Sequence, residues 1–335
     1  MNQTTGRLNR QDFFAFVLGA VCLLILSLSG CAAVPPASLD PAGVQVVTSA
    51  FSQGQVFHTP VFTLYGTERQ HNRIGTVEAV YKNGEIQVVV NGQKPTLYTA
   101  IREFTTARAT YTNYVYRVHF EETPHSLIPF NLTAGNHPGL LVIITVNRSR
   151  QPLLVTTVNT CGCYAAVVPT AWLDEALYPD DWPEGVQSVY GEKLPARLGK
   201  VFPAQQVEFL IRPDLHRVMD IRVASKEDFF IQGQVVIAPE LPADRLRHLP
   251  LPGGGETSFY YANWPLQGHV KGAVKWWEML LLSVPSLDLL VGMDKDYGDT
   301  ELTGNPFYTS LQPWYRRSSD LNDFAGFLQF NGWKL

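Results

Sequence analysis

The residues of this 335-residue chain best suited to chemistry are Cys161 and Cys163, two thiols separated only by Gly162. On an extended strand, residues i and i+2 point the same way with Cα atoms about 6.6–6.8 Å apart. That is the outer limit of disulfide geometry. Gly162 can bend the chain and bring the sulfurs together, closing a small, strained and easily reduced ring. Thiol–disulfide chemistry is therefore one expectation. The others are a static disulfide, two buried thiols, soft-metal ligands, or a nucleophile served by a distant histidine. His119, His125 and His137 lie close enough in sequence to join the two cysteines around zinc or copper. Their spacing matches no Cys-x-x-Cys, His-Glu-x-x-His or Cys-x-x-Cys-His arrangement. His125 follows Pro124 and His137 precedes Pro138-Gly139, which points to turns. No metal and no cofactor is assigned.

Other short patterns fail on inspection. Asp294-Lys295-Asp296-Tyr297-Gly298-Asp299 starts like a calcium loop, but Gly298 and Asp299 stand in swapped places and the twelfth position is Asn305 rather than Glu. It reads as an acidic turn. Pro252-Gly253-Gly254-Gly255-Glu256-Thr257-Ser258 lacks the Gly-Lys-Ser/Thr of a phosphate loop, and no Gly-x-Ser-x-Gly elbow occurs. Trp276-Trp277, with Trp264 nearby, could form a membrane-facing stripe. Packing against a sheet is the expectation preferred for it.

The elements that must hold these residues are mostly strands up to about residue 238. Val77–Tyr81 and Glu85–Val90 flank Asn83-Gly84, a two-residue hairpin signal. From Tyr111 to Phe120, Tyr116, Val118 and Phe120 alternate with Val115, Arg117 and His119. Leu140–Val146 and Leu153–Val158 make a second hairpin. Gln206–Ile211, Arg217–Val223 and Phe229–Ile237 supply three more strands, and tight turns imply antiparallel pairing. Prolines 239, 242, 250 and 252 then lead into Gly253-Gly254-Gly255. Beyond it, apolar residues at helical spacing predict a helix over 269–284, with Lys271, Lys275 and Glu278 on its polar face. Pro285 ends or kinks that helix and Ser286 caps a short successor through Met293. A last helix is expected over 320–330, capped by Ser319. The fold class is α+β: an antiparallel β-rich body with a C-terminal helical region packed on it.

The N-terminus is the one place where the sequence resembles something known. Arg7 and Arg10 precede an apolar run from Phe13 to Leu28, which ends in Leu28-Ser29-Gly30-Cys31 and a Pro-rich stretch. This resembles the bacterial lipoprotein signal peptide, whose lipobox cysteine is diacylated on sulfur and becomes the new N-terminus after cleavage. Sixteen residues at about 1.5 Å each also fall short of a ~30 Å hydrocarbon core. The resemblance implies lipid attachment at Cys31. With Ala32 rather than Asp following, it implies the periplasmic face of the outer membrane in a Gram-negative source, and otherwise the extracytoplasmic face of the cell membrane. Residues 1–30 are then signal peptide, 31–43 a lipidated tether, 44–238 the β-rich domain, 239–256 a Pro/Gly-rich linker and 257–335 the helical region. Removing Arg7, Arg10 and Asp12 leaves 24 of 26 basic and 29 of 30 acidic groups, a net charge of −5. That acidity argues against a nucleic-acid partner. The membrane, through the N-terminal lipid, and an envelope protein are the partners expected. Cys22 leaves with the signal and Cys31 goes to lipid, so Cys161 and Cys163 can pair within the chain only with each other, in an oxidising compartment. Architecture outweighs catalytic signatures, so the leading expectation is a binding or scaffold lipoprotein. A thiol–disulfide protein or enzyme using Cys161 and Cys163 comes second, and a carrier of a metal or small apolar ligand third.

Overall fold

The computed structural model describes residues 43–49, 59–127, 130–225, 227–229 and 233–335. The segment read from the sequence as a signal peptide, and residues 31–42 of the expected tether with Cys31, lie outside these described residues. Among them, two main sheets face each other. A six-stranded sheet runs in the order Ala166–Pro169, Pro152–Asn159, Gly139–Val146, Thr110–His119, Leu97–Thr105 and Glu240–Pro242. All of its pairs are antiparallel except the last. The second, five-stranded sheet has the order Val218–Ser225, Gln205–Ile211, Val61–Leu64, Gln45–Ser49 and Gln234–Ala238. The α+β, β-rich architecture expected from the sequence is what forms.

Alternation explains how the six-stranded sheet becomes the middle layer. Leu140, Val142, Ile144 and Val146 face Phe62, Leu64, Val207 and Phe209 of the other sheet. Leu141 and Ile143, one residue out of phase, pack with Phe307, Leu321, Phe324 and Phe327 of the C-terminal region. Every residue of Gly139–Val146 and Pro152–Asn159 is buried. Two-sided burial accounts for their near-continuous apolar run. The hairpin at Asn83-Gly84 also forms, with φ of 54° and 82° at its two central residues as a type I′ turn requires.

Three expectations need correcting. Pairing is mixed rather than purely antiparallel. Gln234–Ala238 does not fold back on Val218–Ser225 but lies parallel to Gln45–Ser49, and Gln205–Ile211 lies parallel to Val61–Leu64. The Pro/Gly-rich segment read as linker adds the edge strand Glu240–Pro242 to Leu97–Thr99 and buries Leu246 and Leu249 in a third core cluster. The C-terminal region is largely loops with short helices. Its first helix begins only at Trp276, because Gly268 and Gly272 adopt φ of 72° and 75° and the backbone between them bonds to Asp294 and Phe259. That helix passes through Pro285 to Ser286 and ends at Leu287 in the left-handed region, with no successor helix to Met293. The last helix is Phe324–Phe330, capped by Asp323, while Asp320 accepts from the backbone of Phe307 and Asn322 instead.

Candidate functional site

Cys161-Gly162-Cys163 forms the turn between the buried strand Pro152–Asn159 and Ala166–Pro169. The turn is pinned on every side. Gly162 N–H donates to Asn159 O, and Asn159 N–H to Cys163 O. Thr160 N–H donates to Gly139 O, and Lys295 N–H to Thr160 O. Gly162 has φ of 92°, and a Cβ there would sit 2.1 Å from the Tyr308 carbonyl oxygen, so only glycine fits this approach. Both cysteines are free thiols, and the side chain of one hydrogen-bonds the other. The bend expected of Gly162 is present, and it brings the sulfurs together.

Around the thiols lies a buried set of ionisable groups that the sequence did not mark. Lys275 Nζ stands 3.1 Å from Asp294 Oδ2, with both side chains almost wholly buried. Asp294 also accepts from the Thr160 hydroxyl. Lys295 is fully buried; its Nζ donates to the carbonyls of Cys161 at 2.7 Å and Met293 at 3.3 Å, and lies 4.4 Å from the centre of the Tyr308 ring. Glu278 is buried beside them, and its Oε2 has no hydrogen-bond partner among the described residues. Lys275 and Glu278, read from the sequence as the outer polar face of a helix, therefore point inward. The Asp294-Lys295-Asp296 run is a buried segment rather than an exposed acidic turn.

The electrostatics sort these groups into roles. The hydrogen bond from Cys163 lowers the Cys161 pKa well below the ordinary thiol value; burial opposes this, and Lys275 and Lys295 assist it. Cys163 moves the other way, because it donates that bond, is partly shielded from water and faces the Cys161 charge. Burial raises Glu278 to about 8 against the pull of Lys275, so it holds its proton at neutral pH. Burial works against the Lys275 ammonium, but Asp294 and Cys161 outweigh it and keep the group charged. One sulfur thus bears the charge, the other keeps a proton, and a neutral carboxylic acid stands beside them.

These groups line a cavity of about 50 Å³ whose wall includes Cys161, Cys163, Glu278, Tyr308, Leu282 and Leu311. A bound water needs roughly 10–15 Å³ of such space, so there is room for a few heavy atoms. Cys161 is 3% exposed and Cys163 partly exposed. Next to Cys163 in sequence, Tyr164 carries the Arg217 guanidinium 4.8 Å from its ring centre and meets the Tyr190 ring at 5.1 Å.

The histidines do not join the thiols. His119 is buried with both ring nitrogens engaged: Nε2 accepts from Arg117 Nε at 2.7 Å, and Nδ1 faces the His137 carbonyl at 3.2 Å. Burial and Arg117 hold it neutral. His137 Nδ1 faces the Lys271 carbonyl, and His125 is exposed. Among the described residues no three His, Cys, Asp or Glu side chains gather as metal ligands, and the nearby lysine ammonium groups oppose a cation at the two sulfurs. Compared with known proteins, the chain matches no family model, no curated protein and no solved structure.

Proposed function

We propose that the chain is a lipid-anchored envelope protein whose body carries a dithiol redox centre reducing small hydroperoxides. The observation that carries this reading is the charge-sorted pair of Cys161 and Cys163 beside a neutral Glu278 in a small cavity. The charged Cys161 is the nucleophile, Cys163 the resolving thiol and Glu278 the proton donor. A polypeptide disulfide cannot reach a sulfur this enclosed, whereas a hydroperoxide needs only a few atoms of space.

In the first step the Cys161 sulfur attacks the distal oxygen of ROOH. An S–O bond forms, the O–O bond breaks, and the departing alkoxide takes the Glu278 proton as ROH. Cys161 is then a sulfenic acid. In the second step the Cys163 sulfur attacks Cys161 Sγ. The S–S bond forms, the S–O bond breaks, and the leaving hydroxide departs as water with the Cys163 proton. Two electrons pass from the thiols to the hydroperoxide. A small-molecule dithiol must return them, becoming a disulfide itself, by thiol–disulfide exchange at the more exposed Cys163.

The test is stoichiometric oxidation of the purified full chain with hydrogen peroxide, followed by thiol alkylation and intact mass. One equivalent should convert both thiols into a disulfide, with the loss of two hydrogens. Cys163→Ser should stop at a sulfenic acid trapped by dimedone, and Cys161→Ser should not react. Two thiols that remain alkylatable after excess peroxide would overturn the proposal. Incorporation of a palmitate analogue that disappears in Cys31→Ser tests the anchor separately.

A further inference from the structure

The helix Trp276–Ser286 is inverted. Its inward residues are polar, Glu278 and Ser286, preceded by the buried Lys275. Its outward residues are Trp276 at 67% exposure, Leu280 at 67% and Val284 at 78%, continued past the cap by Leu287 at 74%. At 100° per residue, these four fall within an arc of about 80°, with the buried Glu278 on the opposite side. The charge cluster around the thiols explains the inward side, since it takes the polar residues. It gives no reason for an outward side made of tryptophan, leucine and valine.

Neighbouring segments extend the apolar face. Phe130 packs its ring 5.4 Å from Trp277, and Leu127, bridged to Phe130 by an isolated antiparallel pairing, is 72% exposed. On the other flank Arg316 donates to the Ser286 carbonyl and pairs with Asp288, which ties the segment carrying the exposed Trp314 to the end of the helix. Contiguous apolar patches of this kind on a soluble surface mark a place that something covers.

Two observations identify the cover. The first is the chain that lies outside the described residues. It contains the apolar run Phe13–Leu28 and Cys31, twelve residues before Gly43. A Pro-rich tether of that length reaches at most roughly 37 Å, so a body tied to a bilayer through Cys31 stays within reach of it. The second is the chemistry of the ridge. Tryptophan seeks the water–lipid boundary, and the exposed Arg317 follows Trp314 closely in sequence, where anionic headgroups would lie.

We propose that the ridge of Trp276, Leu280, Val284, Leu287 and Trp314 docks into the headgroup and upper acyl region of the bilayer that holds the chain's N-terminal lipid. This rests on the lipid-anchor part of the proposed function and is independent of the redox part. Leu282 and Leu311, which line the thiol cavity, belong to the same two segments. Docking therefore sets that cavity at the lipid boundary.

The test uses the full lipidated chain reconstituted into phosphatidylethanolamine and phosphatidylglycerol vesicles, with and without bromine on the acyl chains. Wild-type protein should float with the vesicles and lose tryptophan emission in the brominated set. Trp276→Phe with Trp314→Phe should abolish most of that loss. Leu280→Ser with Val284→Ser keeps both reporters, and should float equally well but escape quenching while retaining the wild-type thermal transition. Wild type that floats unquenched overturns docking and leaves the anchor standing. If it also sediments as a dimer after detergent extraction, the ridge belongs to a second copy and the lipid proposal falls. Protein that does not float overturns the anchor and, with it, the docking.

Discussion

Glu278→Gln separates the ionisable character of Glu278 from its shape. The glutamate ordinarily titrates near 4.5 and in the folded chain near 8. Between these values the folded protein keeps a proton that the unfolded chain has released. Stability must then fall as pH rises, by about 1.4 kcal/mol per unit. Glutamine has no such proton. From about pH 5 to about pH 7 the wild type should therefore lose about 3 kcal/mol relative to Glu278→Gln. Urea denaturation of both proteins across this range measures the difference directly, and Glu278→Met controls for the unpartnered amide that glutamine introduces. The same variant lacks the proton donor for the departing alkoxide, so oxidation of Cys161 by hydrogen peroxide should slow by roughly 100- to 10,000-fold. Parallel stability curves for wild type and variant would refute the assignment of a neutral buried acid at this position.

Three further outcomes follow from the same geometry. Gly162→Ala places a Cβ against the Tyr308 carbonyl at a positive φ; it should lower the thermal midpoint clearly and change the alkylation rate of both thiols. Lys275→Met leaves Asp294 buried without its cation, at a cost of about 3–5 kcal/mol in urea denaturation, and adding Asp294→Asn should recover part of that. His216 is buried, stacks on Phe120 at 4.3 Å and is depressed to about 3, chiefly by burial. The unfolded chain binds that proton near 6.5, so its contribution to stability is lost as pH falls between those values. His216→Phe should make acid unfolding shallower.

Sheet structure was legible wherever one face of a strand differs from the other, or where a turn residue fixes the register. Thr110–His119 and the Asn83-Gly84 hairpin are such cases, and the Cys161–Cys163 pair stood out by spacing alone. The parallel partners were not legible, because Gln45–Ser49 meets Gln234–Ala238 across most of the chain and nothing local encodes that meeting. The remainder of the site was hidden for a different reason. A helical wheel divides Trp276–Ser286 into two faces but does not say which one looks inward. Burial of apolar residues is the ordinary rule, and it put Leu280 and Val284 inside. The opposite arrangement forms because Lys275 and Glu278 meet Asp294, Lys295 and two thiols, groups brought together from three separate stretches of sequence. The Asp294-Lys295-Asp296 run, with Val291 and Met293 before it and Tyr297 after, was the available clue: opposite charges set among apolar residues suit a buried strand-like rod better than a solvated turn.

The proximity of Cys161 to Glu278 has a consequence for electron transfer. Part of what keeps the carboxylic acid protonated is the negative charge on the Cys161 sulfur. Disulfide formation erases that charge, while Lys275 and Lys295 stay where they are. The acid should then ionise more readily, so the dithiol would give up protons in step with its electrons and its midpoint potential would shift with pH across the neutral range. Seen this way the carboxyl acts as the counterweight of a redox couple, and the buried lysines make the acidity of the surrounding medium part of the driving force.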